Sequence, residues 1–175
     1  MSDFGMRFAL DRLPTPIGAL LIIFDEVDRL RALDWEDFEP RMRRLLRLQY
    51  RTEIELRESS APKPMRNSLN SYFAGDFSAL DRIEVETGGT PFQRKLWAAL
   101  RTISPGTTST YGALAAQIET PKAVRAVGAA NGANPVSIVL PCHRVIGSDR
   151  RLTGYGGGLD RKRWLLTHEG AAFRG

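Results

Sequence analysis

Cys142 is the only cysteine among 175 residues, and it stands beside one of only two histidines in the run Pro141-Cys142-His143-Arg144. A thiol is a strong nucleophile only as thiolate, and an unperturbed cysteine with a pKa of about 8.5 is a few per cent ionised near pH 7. A base close by changes that, and His143 is the adjacent candidate. Neighbours in an extended segment point to opposite faces, so this pairing calls for a bridging water or a third residue. Taken alone, the pair fits equally well a small, buried, apolar cysteine next to a chance histidine. The surrounding chain decides between these readings.

The elements that would present Cys142 are legible on both sides of it. Gly132-Ala133-Asn134-Pro135 reads as a sharp turn, and Ser137-Ile138-Val139-Leu140 as a short buried strand that delivers the cysteine at its end. Gly154-Tyr155-Gly156-Gly157-Gly158 is a flexible loop whose bare backbone permits close approach; a mobile turn would look the same. Asp160 is expected to cap a last helix that runs to His168-Glu169 and stops at Gly170. His168, at that helix end, reads as structural.

Upstream, Thr90-Pro91-Phe92-Gln93 supplies an N-cap, a proline at the first helical position and a glutamine at the third, which is a capping box. The helix it starts should bury Phe92, Leu96 and Leu100 and stop before Pro105-Gly106. A second helix follows Thr110 with Tyr111, Leu114, Ala115 and Ile118 on one stripe, and Thr120-Pro121 is expected to cap a third from Lys122 to Asn131. The pair has the outline of a helix-turn-helix. Its second helix is slim, with one long basic residue, Arg125, and would fit a nucleic-acid groove; two helices packed in a core give the same outline.

Before Gly88-Gly89 the patterning changes. Met6, Phe8 and Leu10 alternate with polar neighbours as in a strand, Ala19 to Phe24 forms a buried strand, and Leu30 to Trp35 a third, together an antiparallel meander. Met42, Leu45, Leu46 and Tyr50 recur at helical spacing from Glu39 to Tyr50, with the arginines between them on a solvated face. Ser59 to Pro64 reads as a loop and Leu69, Tyr72 and Phe73 as a short helix ended at Gly75. The fold class expected is α+β, with an N-terminal α/β domain over 1–87 and a mainly helical DNA-binding and catalytic domain over 88–175.

Charge follows the same division. Residues 1–87 hold 13 Lys and Arg against 16 Asp and Glu, a net −3, whereas 88–175 hold 12 against 4, a net +8. The basic half favours a polyanionic partner over a merely solvated face. One cysteine excludes an internal disulfide, and with two histidines it cannot complete a zinc site of cysteines and histidines. The longest apolar run, Ala19 to Phe24, is too short to cross a bilayer, and the N-terminus lacks a signal peptide's apolar core, so the expectation is a cytoplasmic protein without metal, cofactor or membrane contact.

The order Asn134-Pro135, Pro141-Cys142-His143-Arg144-Val145-Ile146, Gly154-Tyr155-Gly156-Gly157 and Trp164-Leu165-Leu166-Thr167-His168-Glu169-Gly170 resembles the O6-alkylguanine-DNA alkyltransferases. The likeness runs from about Thr90 to Gly170 and takes in Phe92-Gln93, Tyr111-Gly112 and Arg125-Ala126-Val127-Gly128. It continues more loosely through Thr15-Pro16-Ile17-Gly18 and Tyr72-Phe73-Ala74-Gly75. The resemblance implies a ribonuclease H-like N-terminal domain, a winged-helix-like C-terminal domain, and direct-reversal repair of double-stranded DNA containing O6-alkylguanine, extending to O4-alkylthymine. It also implies a monomer that can cluster on DNA.

By that resemblance Cys142 attacks the alkyl carbon, His143 acts as base through a water, Glu169 orients the imidazole and Asn134 braces the turn. Tyr111 would donate a proton or hydrogen bond to the departing base, while Val145, Tyr155, Gly156 and Gly157 hold the guanine edge. The helix carrying Ala123, Ala126 and Gly128 enters the minor groove, and Arg125 fills the gap left by the flipped nucleotide. Each molecule would act once, because a thioether is not hydrolysed. Departures from the family pattern are the missing N-terminal zinc ligands, Gly132 where some members carry a basic residue, and Gly156 where some carry serine. They imply weaker non-specific DNA affinity and a roomier pocket. A lesion sensor lacking transfer, a helix-turn-helix regulator and an unrelated cysteine hydrolase are the competing readings; none of the three accounts for both Cys142 and the basic half with Arg125.

Overall fold

The computed structural model describes residues 5–175, which divide into two compact units, the first ending at Gly89 and the second beginning at Thr90. In the first, β1 (Met6–Leu13), β2 (Leu20–Phe24) and β3 (Leu30–Trp35) form the expected antiparallel meander. A fourth strand, β4 (Ile54–Glu58), joins parallel to β1, giving the order β3-β2-β1-β4. The sheet is therefore mixed, because a helix, α1 (Glu39–Tyr50), carries the chain back across one face before β4 begins. Phe8, Leu10, Leu21, Ile23 and Ala32 from alternate strand positions meet Met42 and Leu46 of α1, and Ile54 and Leu56 of β4 join them. The helix of 63–73, α2 (Lys63–Phe73), starts inside the stretch read as a loop and is longer than its apolar marks suggested.

In the second unit, α3 (Pro91–Leu100) begins with the capping box in place: Gln93 N donates to Thr90 Oγ1 at 3.1 Å and Thr90 N to Gln93 Oε1 at 2.9 Å. Such a cap contributes about 1 kcal/mol. It fixes where Leu96, Trp97 and Leu100 enter the core; Phe92, expected among them, is only half-buried. Thr110 caps α4 (Tyr111–Gln117), accepting from Ala113 N at 3.1 Å. Trp97 Nε1 donates to Ala130 O at 2.9 Å and ties α3 to α5 (Val124–Gly132).

The helix expected from Lys122 starts two residues later. Glu119 takes a left-handed φ of 62°, and Ala123 N closes a turn on Thr120 O at 2.9 Å, so Thr120-Pro121 forms the turn rather than the cap. The strand expected at Ser137–Leu140 is also absent. Ile138 sits at φ 73°, Val139 N bonds Ser137 O and Leu140 N bonds Val136 O, which folds the segment into successive turns. The extended residues come after the cysteine: β6 (Val145–Ile146) pairs parallel with β5 (Ser109–Thr110). The final helix, α6 (Leu159–His168), has Gly158 at its N-cap with φ 94°; Asp160 lies inside the first turn and makes no capping bond.

Candidate functional site

Cys142 opens a single 3-10 turn, Cys142–Arg144, set between the folded segment before it and β6 after it. Asn134 holds that approach: Nδ2 donates to Leu140 O at 2.7 Å, and Oδ1 accepts from Val136 N at 2.9 Å. One buried carboxamide thus pins both ends of the turns leading to the thiol. In a 3-10 turn successive side chains fan around an axis, so the opposed-faces argument for Cys142 and His143 does not apply.

His143 is completely buried, and its Nε2 lies 2.9 Å from Glu169 Oε2. Glu169 also receives Arg144: Nε donates to Oε1 at 2.8 Å and Nη2 to Oε2 at 2.9 Å, while Nη1 reaches Ile103 O at 2.6 Å. Burial by itself would raise the Glu169 pKa, but hydrogen bonds from Arg144 and His143 outweigh it and hold the carboxyl well below the usual range. An ionised carboxylate only accepts, so Nε2 must carry the imidazole proton. Nδ1 is then the basic nitrogen, and it is buried with no protein hydrogen bond. Burial, reinforced by the charges of Arg144 and Lys162, lowers the His143 pKa against the opposing pull of Glu169. The shift favours the neutral imidazole, the form able to accept a proton.

Lys162 of α6 is sealed from solvent, a position lysine takes only with partners. Its Nζ donates to Val145 O at 2.6 Å and to Thr153 O at 3.3 Å. Burial pulls its pKa down to about 8, and attraction to Cys142 opposes that shift. The attraction is mutual, so the ammonium favours the thiolate. Thr153 Oγ1 in turn lies 2.6 Å from Tyr111 Oη, linking the tyrosine at the start of α4 to the same cluster.

Concavity alone would direct attention elsewhere. Grooves of about 530 and 540 Å³ lie in the first unit, lined by residues such as Arg7, Phe8 and Asp25, with no cysteine or histidine among their walls. Carboxylate side chains line both instead, joined by serines in the groove of about 530 Å³.

Residues 91–171 match the model of the 6-O-methylguanine DNA methyltransferase DNA-binding domain. Over 94% of its length the chain is 52% identical to the methylated-DNA--protein-cysteine methyltransferase of Salmonella typhimurium, covering 97% of that protein. The chain belongs to this methyltransferase family. The Haemophilus influenzae member is 43% identical over 89% of this chain and 83% of its own length. A crystal structure of Mycobacterium tuberculosis OGT in complex with DNA superposes with a TM-score of 0.76 at 37% identity, covering 94% of this chain and 93% of that one. DNA is the partner.

Within this methyltransferase chain the residues singled out from sequence fall into three groups. Cys142, His143, Glu169, Asn134 and Val145 converge through the contacts above, and Tyr111 reaches them by way of Thr153 and Lys162. Arg125 and Ala126 are exposed on α5, with Ala123 at its N-cap and Gly128 half-buried, where a Cβ would come within 3.9 Å of the Tyr111 ring. Tyr155, Gly156 and Gly157 form the loop before α6, and Arg161 Nη1 donates to Gly157 O at 3.3 Å. His168 stacks on Trp164 with centroids 4.6 Å apart, consistent with a structural residue.

Sequence reasoning missed Arg144, Lys162 and Thr153. Arg144 stands inside the quoted cysteine motif, next to His143, and that adjacency was the one signal available. Nothing in the pattern Asp160-Arg161-Lys162-Arg163 separates the buried cation from half-buried Arg161 and exposed Arg163.

Proposed function

We propose that Cys142 is the acceptor of the alkyl group and that His143, Glu169, Asn134 and Tyr111 serve the transfer. The reaction is direct-reversal DNA repair by alkyl transfer to cysteine. The observation that carries the assignment of residues is the imidazole: Nε2 is committed to Glu169, and Nδ1 is left as the open basic nitrogen. The thiol proton passes through a water to Nδ1. The sulfur then attacks the alkyl carbon of O6-alkylguanine, or of O4-alkylthymine, forming S–C as C–O breaks. Guanine leaves with the electron pair and takes up a proton, with Tyr111 as the group directed towards it. The product thioether is stable, so each molecule reacts once.

An O6 substituent inside a duplex cannot reach the thiol of a buried cysteine, so the nucleotide must leave the stack. The exposed face of α5, with Arg125 and small residues on either side, fits a minor groove, where Arg125 would occupy the space vacated. Val145 and the loop at Tyr155, Gly156 and Gly157 hold the base. The protein acts as a monomer that can cluster along DNA, in the cytoplasm. Among the described residues no helix is long and apolar enough to cross a membrane.

The test is to incubate the protein with a duplex carrying O6-methylguanine and weigh the intact chain. One added methyl on Cys142, with no turnover beyond one equivalent, is expected; tight binding without an adduct would make the protein a lesion sensor. Arg125→Ala should slow duplex repair far more than reaction with free O6-benzylguanine, and an equal loss in both would remove the role given to Arg125.

A further inference from the structure

The turn that follows β6 carries more positive charge than its surroundings neutralise. Arg150 N donates to Gly147 O at 2.8 Å and Gly147 N to Arg151 O at 2.9 Å, closing a tight turn in which Arg150 takes φ 69°. A Cβ on Gly147 would lie 2.7 Å from Asp149 Oδ1, so the exposed aspartate side chain packs closely over the start of the turn. Arg174 N donates to Arg150 O at 2.8 Å, and Arg151 pairs with Arg174 in a parallel bridge. Three exposed arginines, Arg150, Arg151 and Arg174, therefore project from one hydrogen-bonded scaffold.

Their opposition is weak. Asp149 Oδ2 lies 3.7 Å from Arg151 Nε, with both side chains mostly in solvent, where such a pair contributes little. Among the described residues no carboxylate is paired with Arg150 or Arg174. Apart from Asp149, the scaffold leaves its guanidinium groups open to an incoming anion.

The location selects the anion. Thr153, two residues beyond Arg151, contacts both Tyr111 Oη and Lys162 Nζ. Tyr111 lies alongside Gly128 of α5, one helical turn after Arg125. The arginine turn and α5 are thus both coupled to Tyr111. For a DNA-binding unit in which this turn is connected to α5 through Thr153 and Tyr111, the sugar-phosphate backbone is the polyanion to consider.

We propose that Arg150, Arg151 and Arg174 form an accessory phosphate clamp, separate from α5, that grips the sugar-phosphate backbone beside the extruded nucleotide. This rests on the alkyl-transfer reading above. Guanidinium forks match phosphate oxygens, and such contacts set position without reading sequence. The clamp supplies, from the turn, backbone contacts additional to those of the slim helix.

The test measures affinity for an undamaged duplex across a range of salt, using the full chain, an R150Q/R151Q/R174Q variant and the corresponding triple lysine variant. Each phosphate contact contributes roughly 0.9 to the slope of log affinity against log salt. The glutamine variant should lose about two to three from that slope, bind all sequences more weakly, and react with free O6-benzylguanine at the wild-type rate. The lysine variant should keep the slope. An unchanged slope and affinity in the glutamine variant overturns the clamp. Should that variant fail to fold, R174Q alone must lose about one from the slope, or the clamp is refuted. Failure of the wild-type chain to react with free base overturns the alkyl-transfer reading instead, and the salt slopes still decide the clamp.

Discussion

Each unit buries a carboxylate gripped by arginine, yet only one of the two clusters can do chemistry. In the first, Asp25 Oδ1 accepts from Val27 N and Arg29 N, and Oδ2 from Arg29 Nε at 2.9 Å and Arg31 Nε at 2.7 Å. Arg31 continues to Tyr50 Oη at 3.0 Å and lies over the Phe8 ring. Burial pushes the Asp25 pKa up, and these bonds more than reverse it. In the second, Glu169 is held just as firmly, but one of its donors is an imidazole with a second, open nitrogen. A buried ion cluster is structural when its members are saturated. It becomes reactive where a titratable valence is left open near a nucleophile.

Removing each carboxylate's charge breaks the comparison most directly. Glu169→Gln leaves Arg144 buried without its counter-charge, at a cost of about 3–5 kcal/mol, and should slow transfer from free O6-benzylguanine by roughly 10²–10⁴-fold in the molecules that fold. Asp25→Asn should destabilise its unit by about 1–3 kcal/mol and leave the transfer rate of folded protein unchanged. Denaturant titration and single-turnover mass measurements read the two effects separately. A transfer defect from Asp25→Asn matching that of Glu169→Gln would erase the distinction.

The same contrast explains what was legible in sequence. Local physics was readable: Thr90-Pro91-Phe92-Gln93 starts α3 as its capping box dictates, and Met42, Leu45 and Leu46 mark the buried face of α1. Ile54-Glu55-Leu56-Arg57-Glu58 escaped notice because an edge strand with one half-buried face shows only two apolar positions. Ser137–Leu140 has strand composition, but the carboxamide of Asn134 and the left-handed Ile138 impose turns on it. The meeting of Cys142, His143 and Glu169 was anticipated only through family resemblance, since 26 residues separate His143 from Glu169. Lys162 and Arg144 were missed because burial of a cation is decided by tertiary partners, Val145 O for one and Glu169 for the other.

The pH dependence of transfer gives a finer division between the clusters. In the base role proposed for it, His143 must be neutral, and burial lowers its pKa from the ordinary value of 6.5. The rate with free base should therefore fall on the acid side as His143 gains its proton, and change again near pH 8 as the Lys162 ammonium beside Cys142 is lost. Arg144→Gln removes a charge that helps depress His143, so the acid limb should move to higher pH. The linkage has a definite sign. An unfolded chain protonates His143 more readily than the folded one, so this contribution to stability is present above about pH 6.5 and is lost as pH falls through the lowered folded value. An acid limb unmoved by Arg144→Gln would mean that Arg144 supports Glu169 without tuning the base.

The smallest expected effect concerns the loop before α6 and its glycine at 156, proposed above to lie at the base. Gly158 takes φ 94°, a conformation reserved for glycine, whereas Gly156 lies outside that left-handed region. Serine at 156 therefore adds a side chain without backbone strain and changes mainly the space and polarity beside the base. Gly156→Ser should lower the ratio of benzyl to methyl transfer by on the order of tenfold or less, the range that one small group in a pocket commands. Competition between O6-benzylguanine and O6-methylguanine duplexes, read by intact mass, measures the ratio. A ratio equal to or higher than that of the wild-type chain in the serine variant would show that glycine at 156 does not set the room for bulky groups, and would move that role to Tyr155 or to the bond between Arg161 and Gly157 O.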